Sequence, residues 1–407
     1  MLPSEAMTEQ SDEAVVITHA VRTPIGRFLG QYSDVSAVDL GIAATAGLLA
    51  QSKIPASEID GAVFGCARQA GLGPNPARQV AVRSGIAVER PALTVNMACG
   101  SGLWALIQAA QMIRLGDARI VLAGGFENMT RVPFLLPQMR KGHRMGNAPV
   151  VDAMYQDGFH CPLAEQLMGE TAETLARQYK ISREEQDAYA ARSQQRFAAA
   201  RKRGSVIEEI VPVSVPQKGG AAKVVDRDEH PRDGVEAIDL AKLGPVFDAQ
   251  SGTVTAGNAS GIADGAAALL VMTARAARDL SFAPLAVFEA YSAVGVDPKV
   301  MGIGPVPATR SLMSRVGRRV EDYDLVELNE AFAAQVVACD RELHFDPARL
   351  NVNGGSIALG HPIGCSGARV VTTLLHELKR RGAALGLATL CISGGQGLSA
   401  SFAAAKN

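Results

Sequence analysis

The sequence predicts an α/β protein made of two duplicated α/β halves with an inserted loop subdomain, and three observations carry that reading. Short apolar runs alternate with amphipathic helical stretches toward both ends of the 407-residue chain. A pattern in the first part recurs in the last: Ile59-Asp-Gly-Ala-Val-Phe-Gly is echoed by Tyr323-Asp-Leu-Val-Glu-Leu-Asn, and Thr94-Val-Asn by Asn351-Val-Asn. Each echo leads to a Ser-Gly pair, at 101–102 and 366–367, and then to a long helical pattern, the mark of duplicated halves rather than a solenoid. Between about 132 and 261 the texture changes. There Pro133, Pro137, Gly142, Gly146, Pro149, Gly158 and Pro162 interrupt any regular element. The expected division is a disordered tail at 1–13, a first half at 14–131 plus 262–283, an inserted subdomain at 132–261 lying over the sheet, and a second half at 284–405.

Val15-Val-Ile-Thr reads as the first strand, Leu40 to Leu49 as a helix, Gly61-Ala-Val-Phe-Gly and Leu93-Thr-Val-Asn as strands. Leu103, Leu106, Ile107, Ala110 and Ile113 follow at helical spacing, and Arg119-Ile-Val-Leu-Ala-Gly-Gly is the next strand. Within the insert, Ser182-Arg-Glu-Glu has capping-box form and opens a helix to about Arg203 with charged residues over most of its surface. In the second half Val370, Val371, Leu374, Leu375 and Leu378 mark a helix, and Leu387-Ala-Thr-Leu-Cys a strand.

Composition narrows the function classes. With 47% apolar and 20% charged residues the chain is of ordinary globular type. A net charge of −1 and the lack of a long basic run give no footprint for nucleic acid or an acidic membrane surface. The acidic, polar first residues lack an apolar signal region, no apolar stretch reaches spanning length, and the closing Ala-Lys-Asn is not a peroxisomal address. The expectation is a cytoplasmic protein whose six cysteines are reduced. No C-x-x-C or H-x-x-x-H spacing points to zinc, so no metal site is expected.

The chemistry concentrates on glycine-studded turns. Cys99, in Met97-Ala-Cys-Gly-Ser-Gly, stands at the start of a helix, where unpaired N–H groups and the helix dipole favour a thiolate. His361, in Gly360-His-Pro-Ile-Gly, is stiffened by Pro362 and can take a proton from a nearby thiol, whereas the other six histidines read as surface or structural. Cys391 closes an apolar strand and opens Ile-Ser-Gly-Gly-Gln-Gly, whose amides could form an oxyanion hole; that turn lacks the lysine of a phosphate loop. Asn329 ends the strand Leu325-Val-Glu-Leu, placed either to donate to a carbonyl or water or to cap the next helix. Two thiols and an imidazole in such settings suit acyl transfer through a thioester.

These motifs, with Asn329-Glu-Ala-Phe-Ala and the loop Thr253-Val-Thr-Ala-Gly-Asn-Ala-Ser-Gly, stand in the order and spacing of the thiolases, and the chain resembles that family from about Ala14 to Phe402. The resemblance implies a layered α-β-α-β-α core. It implies that Cys99 takes the acyl group and His361 activates it. Cys391 is then the acid/base for the second acyl-CoA, and Asn329 holds an oxyanion-hole water beside His361. The amides of Cys99 and Ser393 form the other oxyanion hole. Arg232 matches an adenine-facing arginine, and Ser260 a pantetheine contact, with Ala256 also among the CoA-binding positions. Met168, Met301, Ala331 and Phe332 match pocket-lining positions. Ser393 stands where most members have glycine. Leu167, in Gln-Leu-Met-Gly, stands where short-chain biosynthetic members commonly carry histidine, which leans the pocket toward longer 3-oxoacyl chains. Cys365 replaces the usual alanine and is read as structural.

The implied activity is reversible CoA-dependent cleavage of 3-oxoacyl-CoA to acetyl-CoA and a shortened acyl-CoA, with coenzyme A and acyl-CoA as substrates and no permanently bound cofactor. The alternative is a short-chain acetyl-CoA C-acetyltransferase making acetoacetyl-CoA. A decarboxylating ketoacyl synthase would be expected to use two histidines, which Cys391 argues against. A non-catalytic acyl-CoA or lipid carrier should have lost Cys99, His361 or Cys391. A homodimer or homotetramer is implied, with Phe134, Leu135, Leu136 and Met139 on a protruding contact loop between Arg131 and Gly146.

Overall fold

A computed structural model describes residues 12–217 and 219–405. Nine strands form its main sheet: β1 (Val15–Arg22), β2 (Gly61–Gly65), β3 (Ala92–Val95), β4 (Ile120–Asn128), β5 (Ala263–Thr273), β6 (Ala286–Gly295), β7 (Leu325–Leu328), β8 (Leu385–Ile392) and β9 (Gln396–Ala404). Gly26–Arg27 adds a short tenth beside β5. The order across the sheet is β7-β8-β9-β6-β1-β5-β4-β2-β3.

The repeat seen in the sequence is a repeat of topology. In the first half β1 pairs antiparallel with β5 and β5 antiparallel with β4, while β4 and β3 flank β2 in parallel. In the second half β6 pairs antiparallel with β9, β9 antiparallel with β8, and β8 parallel with β7. A parallel bridge from Val326 to Leu350 stands where the fifth strand would lie. The echoed aspartates do equivalent work. Asp60 Oδ2 accepts from Arg119 N and Ile120 N at 2.9 and 3.1 Å, and Asp324 Oδ2 from Ala384 N and Leu385 N at 2.8 and 2.9 Å. Within the sheet, β1 and β6 join the halves through Val16↔Val287 and Ile17↔Ala286.

Because side chains alternate across a strand, each sheet half buries both faces. Leu122, Leu270 and Met272 pack under α1 (Ala37–Ser52) with Leu40, Ala44 and Leu48. Their neighbours Val121, Ala123, Leu269 and Val271 face the other way, onto α2 (Ser101–Leu115) and the C-terminal helix Ile363–Arg381. That same interior reaches Leu390, Ala400 and Phe402 of the second half. Beyond it, Val326, Leu328 and Leu387 pack with Leu312 and Val336 of the outer helices Pro305–Val316 and Ala333–Leu343. The result is five layers, α-β-α-β-α.

The other long helices, in chain order, are α3 (Met168–Gln178), α4 (Arg183–Lys202), α5 (Pro305–Val316), α6 (Ala333–Leu343) and α7 (Ile363–Arg381). The expected capping box of α4 forms, Ser182 N donating to Glu185 Oε2 at 2.7 Å and Glu185 N to Ser182 Oγ at 3.2 Å. Its face is not chiefly solvated, contrary to the sequence reading. Gln186, Asp187, Tyr189, Ser193 and Gln194 are buried, and their polar groups, the Gln186 Oε1 excepted, find partners from other segments. Asp187 accepts from Asn258 Nδ2 at 2.9 Å, and Glu173 of α3 from Thr253 N and Val254 N, both at 2.8 Å. The 250–261 loop is therefore anchored by α3 and α4. The expected tail at 1–13 lies outside the described residues except for Asp12 and Glu13; Asp12 pairs with Arg275 at 3.3 Å and with Arg278.

Candidate active site

Cys99 sits on an elbow between β3 and α2. Ala98 adopts φ 43°, in the left-handed region that costs a non-glycine residue about 1–2 kcal/mol. Ser101 holds that turn shut: its Oγ accepts from Met97 N at 2.8 Å and donates to Ala98 O at 2.7 Å. The backbone amides of Ser393 and of Cys99 itself favour the Cys99 thiolate. Burial nevertheless dominates and pushes the thiol up, with the two amides and the Arg68 charge pulling the other way. This corrects the expectation of a dipole-stabilised thiolate: the resting group is a protonated thiol that needs a base.

His361 enters from the equivalent turn of the second half, two residues before α7 as Cys99 is two before α2. Its own N–H donates to Gly261 O at 2.9 Å, tying it to the 250–261 loop. Nδ1 lies 2.5 Å from Ser366 Oγ, and that hydroxyl donates its single proton to Pro362 O at 2.9 Å. Ser366 must then accept, so Nδ1 carries the imidazole proton and Nε2 keeps its lone pair. Asn329 Nδ2 is 3.5 Å from Nε2, while Asn329 Oδ1 accepts from Ser356 Oγ at 2.7 Å and Ser356 Oγ accepts from Arg369 Nη2 at 2.9 Å. Burial, then the Arg369 and Arg68 charges, lower the His361 pKa to about 3. The imidazole is neutral, with its basic nitrogen facing Asn329.

Cys391 lies near the end of β8, fully buried, and the turn after it runs through Gly394 and Gly395 at φ 90° and 85°. Burial pushes this thiol well up, and the neighbouring Cys99 and Cys339 add to the shift. Met301 and Ala331 pack against Cys391, with Met168 and Phe332 at the margin. Cys99 has its own apolar surroundings: Ala67, Met129, Met154 and Ile363, flanked by Val132, Phe159 and Ile262. Two thiols thus share a site with two differently lined walls.

The residues expected to bind substrate fall in three places. Met168, Met301, Ala331 and Phe332 gather at Cys391. Arg232 is exposed and lines a cleft of about 440 Å³ with Arg27, Phe28, Glu229, His230, Pro231 and Ile262. Ile262 belongs both to this cleft and to the Cys99 surroundings, so the cleft leads toward the nucleophile. Ser260 meets the Cys391 wall, its Oγ donating to Ala331 O at 2.9 Å, and Ala256 is exposed on the same loop. Leu167 is half-buried just before α3 and belongs to neither thiol's apolar patch. Sequence reasoning missed Ser356 and Ser366, which orient Asn329 and His361, and the Met129, Met154, Phe159 and Ile363 wall. Only Ser366 carried a signal, as part of the repeated Ser-Gly. Among the described residues no three His, Cys, Asp or Glu side chains converge as a metal site.

Comparison with known proteins agrees with this fold. The model of the thiolase N-terminal domain matches residues 15–275 and that of the thiolase C-terminal domain residues 282–404. The chain belongs to the thiolase family. It is 51% identical over 389 residues to the acetyl-CoA acetyltransferase of Pseudomonas aeruginosa, covering 96% of this chain and 99% of that protein. It is 49% identical over 386 residues to a probable acetyl-CoA acyltransferase of Staphylococcus aureus, covering 95% and 98%. Among solved structures, the Bacillus anthracis acetyl-CoA acetyltransferase superposes with TM-score 0.93 at 42% identity, covering 96% of this chain and 98% of that one. Human mitochondrial 3-ketoacyl-CoA thiolase in complex with CoA superposes with TM-score 0.91 at 40% identity, with the same coverage.

Proposed function

We propose that this protein is an acyl-CoA thiolase that reversibly cleaves 3-oxoacyl-CoA with CoA, through an acyl group carried on Cys99. The observation that carries the reading is His361, held by Ser366 with Nε2 unprotonated beside Asn329, on the turn equivalent to that of Cys99, with the buried Cys391 thiol as a second candidate acid/base. In the cleaving direction His361 Nε2 takes the Cys99 proton as the sulfur attacks the 3-keto carbon. Attack puts negative charge on the keto oxygen. The C2–C3 bond then breaks, and the enolate of acetyl-CoA takes a proton from Cys391, which burial keeps protonated until that moment. Asn329, with a water held beside His361, faces the enolate oxygen. Cys391 next deprotonates the incoming CoA thiol, whose sulfur displaces Cys99 from the acyl carbon, while the Ser393 and Cys99 amides hold the thioester oxygen as it becomes anionic. Every proton has a named carrier among these side chains, so the reaction needs no metal or redox cofactor.

CoA would lie along the cleft of Arg232 and His230, its pantetheine passing Ser260 toward Cys99. A cytoplasmic location belongs to this reading; separately, among the described residues no helix is long and apolar enough to cross a membrane. The names of the relatives favour a second reading, an acetyltransferase restricted to acetoacetyl-CoA. Thiolysis rates across four-, six- and eight-carbon 3-oxoacyl-CoA separate the two. The proposed reading expects six carbons to be cleaved at least as efficiently as four; rejection of everything beyond acetoacetyl-CoA would give the site to the second.

A further inference from the structure

Arg68 is a buried cation beside the nucleophile that the thiolase reaction does not use. It is 7% exposed and its Nε makes no hydrogen bond. Among the described residues the guanidinium has no carboxylate within ion-pair distance, and Nη1 reaches only Ala67 O at a long 3.5 Å. Glu127, the nearby buried acid, feels the Arg68 charge but makes no hydrogen bond to the guanidinium: its oxygens accept instead from Ala67 N at 3.0 Å, Arg68 N at 3.1 Å and Gly364 N at 2.9 Å. A guanidinium carries five donors in a planar fork and cannot discharge itself by losing a proton, so burying it with donors unspent is unfavourable unless an anion completes it.

Its position says where that anion would come from. The guanidinium lies flat against Gly158, so close that a Cβ there would fall 2.2 Å from Nη2. The chain neighbours of this contact, Ala67 on one side and Phe159 on the other, both line the apolar surroundings of Cys99 with Met129, Met154 and Ile363. The Arg68 charge is felt at both Cys99 and His361. An acyl chain leaving Cys99 along this wall therefore meets a cation. A wall meant only for alkyl chains gains nothing from one.

We propose that Arg68 recognises a carboxylate at the far end of the acyl chain, so that the preferred substrates are CoA thioesters of 3-oxo-dicarboxylic acids. The proposal rests on the thiolase reading and names the substrate class of that site. In the step itself the C2–C3 bond breaks, C2 takes a proton, and C3 passes from Cys99 to the sulfur of CoA. The distal carboxylate is unchanged, and the products are acetyl-CoA and a dicarboxylic monothioester two carbons shorter. A bidentate Arg–carboxylate pair is strong in such a dry setting.

The test compares kcat/KM for 3-oxohexanedioyl-CoA and for the uncharged 3-oxohexanoyl-CoA, with acetoacetyl-CoA assayed alongside. The wild type is expected to favour the diacid by tenfold or more (about 1.4 kcal/mol). In Arg68→Met the diacid-to-neutral ratio should fall by roughly a hundredfold, and Arg68→Lys, which keeps charge but not the fork, should fall between. The wild-type ratio needs no variant to fold, so a ratio near one overturns the proposal by itself and leaves Arg68 to a carboxylate from a second copy of the chain. A ratio that Arg68→Met leaves unmoved overturns it equally. In both cases continued cleavage of acetoacetyl-CoA keeps the thiolase reading standing; an enzyme that cleaves none of the three loses both.

Discussion

The hydroxyl of Ser366 decides which nitrogen of His361 is the base. It is positioned to do so by its donation to Pro362 O, which leaves it only an acceptor for Nδ1–H. In Ser366→Ala the imidazole loses that partner, and kcat should fall roughly ten- to a hundredfold, equivalent to about 1.4–2.7 kcal/mol. KM should move little, and Ser366→Thr should recover part of the rate. Steady-state thiolysis kinetics check both. The neutral state of His361 has a second consequence. Its pKa is depressed in the folded protein to about 3 from an ordinary 6.5, so between those values only the unfolded chain takes the proton. The contribution is fully present above 6.5 and is lost as pH falls toward 3, so wild type should lose more stability than His361→Asn between pH 7.5 and 5. Urea midpoints at the two pH values measure the difference. The position of Cys99, His361 and Cys391 was legible because glycine-flanked turns at strand ends stand out in a sequence. The ionisation of Cys99 was not, because burial is set by Ile363, Met129 and Met154, which arrive from distant segments.

Among the elements, α2 and α7 show why the repeated Ser-Gly matters. A Cβ on Gly102 would lie 2.6 Å from Ala368 N, and one on Gly367 2.3 Å from Leu103 N, so the two central helices touch backbone to backbone. Gly367→Ala should force them apart and cost about 1–3 kcal/mol or more, read as a lowered urea midpoint. Since the helices carry the Cys99 and His361 turns at their N-termini, acylation should slow in the same variant. The duplication was readable from local apolar spacing, and strands and helices fell where it put them. The role of α4 was not. Tyr189, Ser193 and Asn351 converge on Glu330 at 2.8, 2.7 and 3.1 Å, and a polar helix buried by such a network looks like a solvated one until its partners are known. Leu167, at the entrance to α3, belongs to neither thiol's apolar patch, so any tuning of chain length by it acts through its neighbour Met168 at the Cys391 wall. Leu167→His is expected to shift preference toward acetoacetyl-CoA by that route. Chain-length profiles of the two proteins decide it.

At the scale of the whole molecule, duplication brings two equivalent turns to one place and gives them different chemistry, a thiol in one half and an imidazole in the other. The outer edge is open: β3 ends the sheet with Leu93 49% exposed, and on a separate loop Phe134, Met139 and Met145 stand 66%, 54% and 90% exposed. We propose that these surfaces are covered in a homodimer or a dimer of dimers. A monomeric mass by light scattering at micromolar protein would remove that proposal. The central claim is the division of labour between the two thiols, and the most direct measurement is to expose wild type and Cys391→Ser to acetyl-CoA, quench, and locate the acetyl group by peptide mass analysis while assaying condensation. Acetyl on Cys99 in both proteins, with condensation lost only in Cys391→Ser, is the predicted result; acetyl on Cys391, or none on Cys99 in active enzyme, would contradict it.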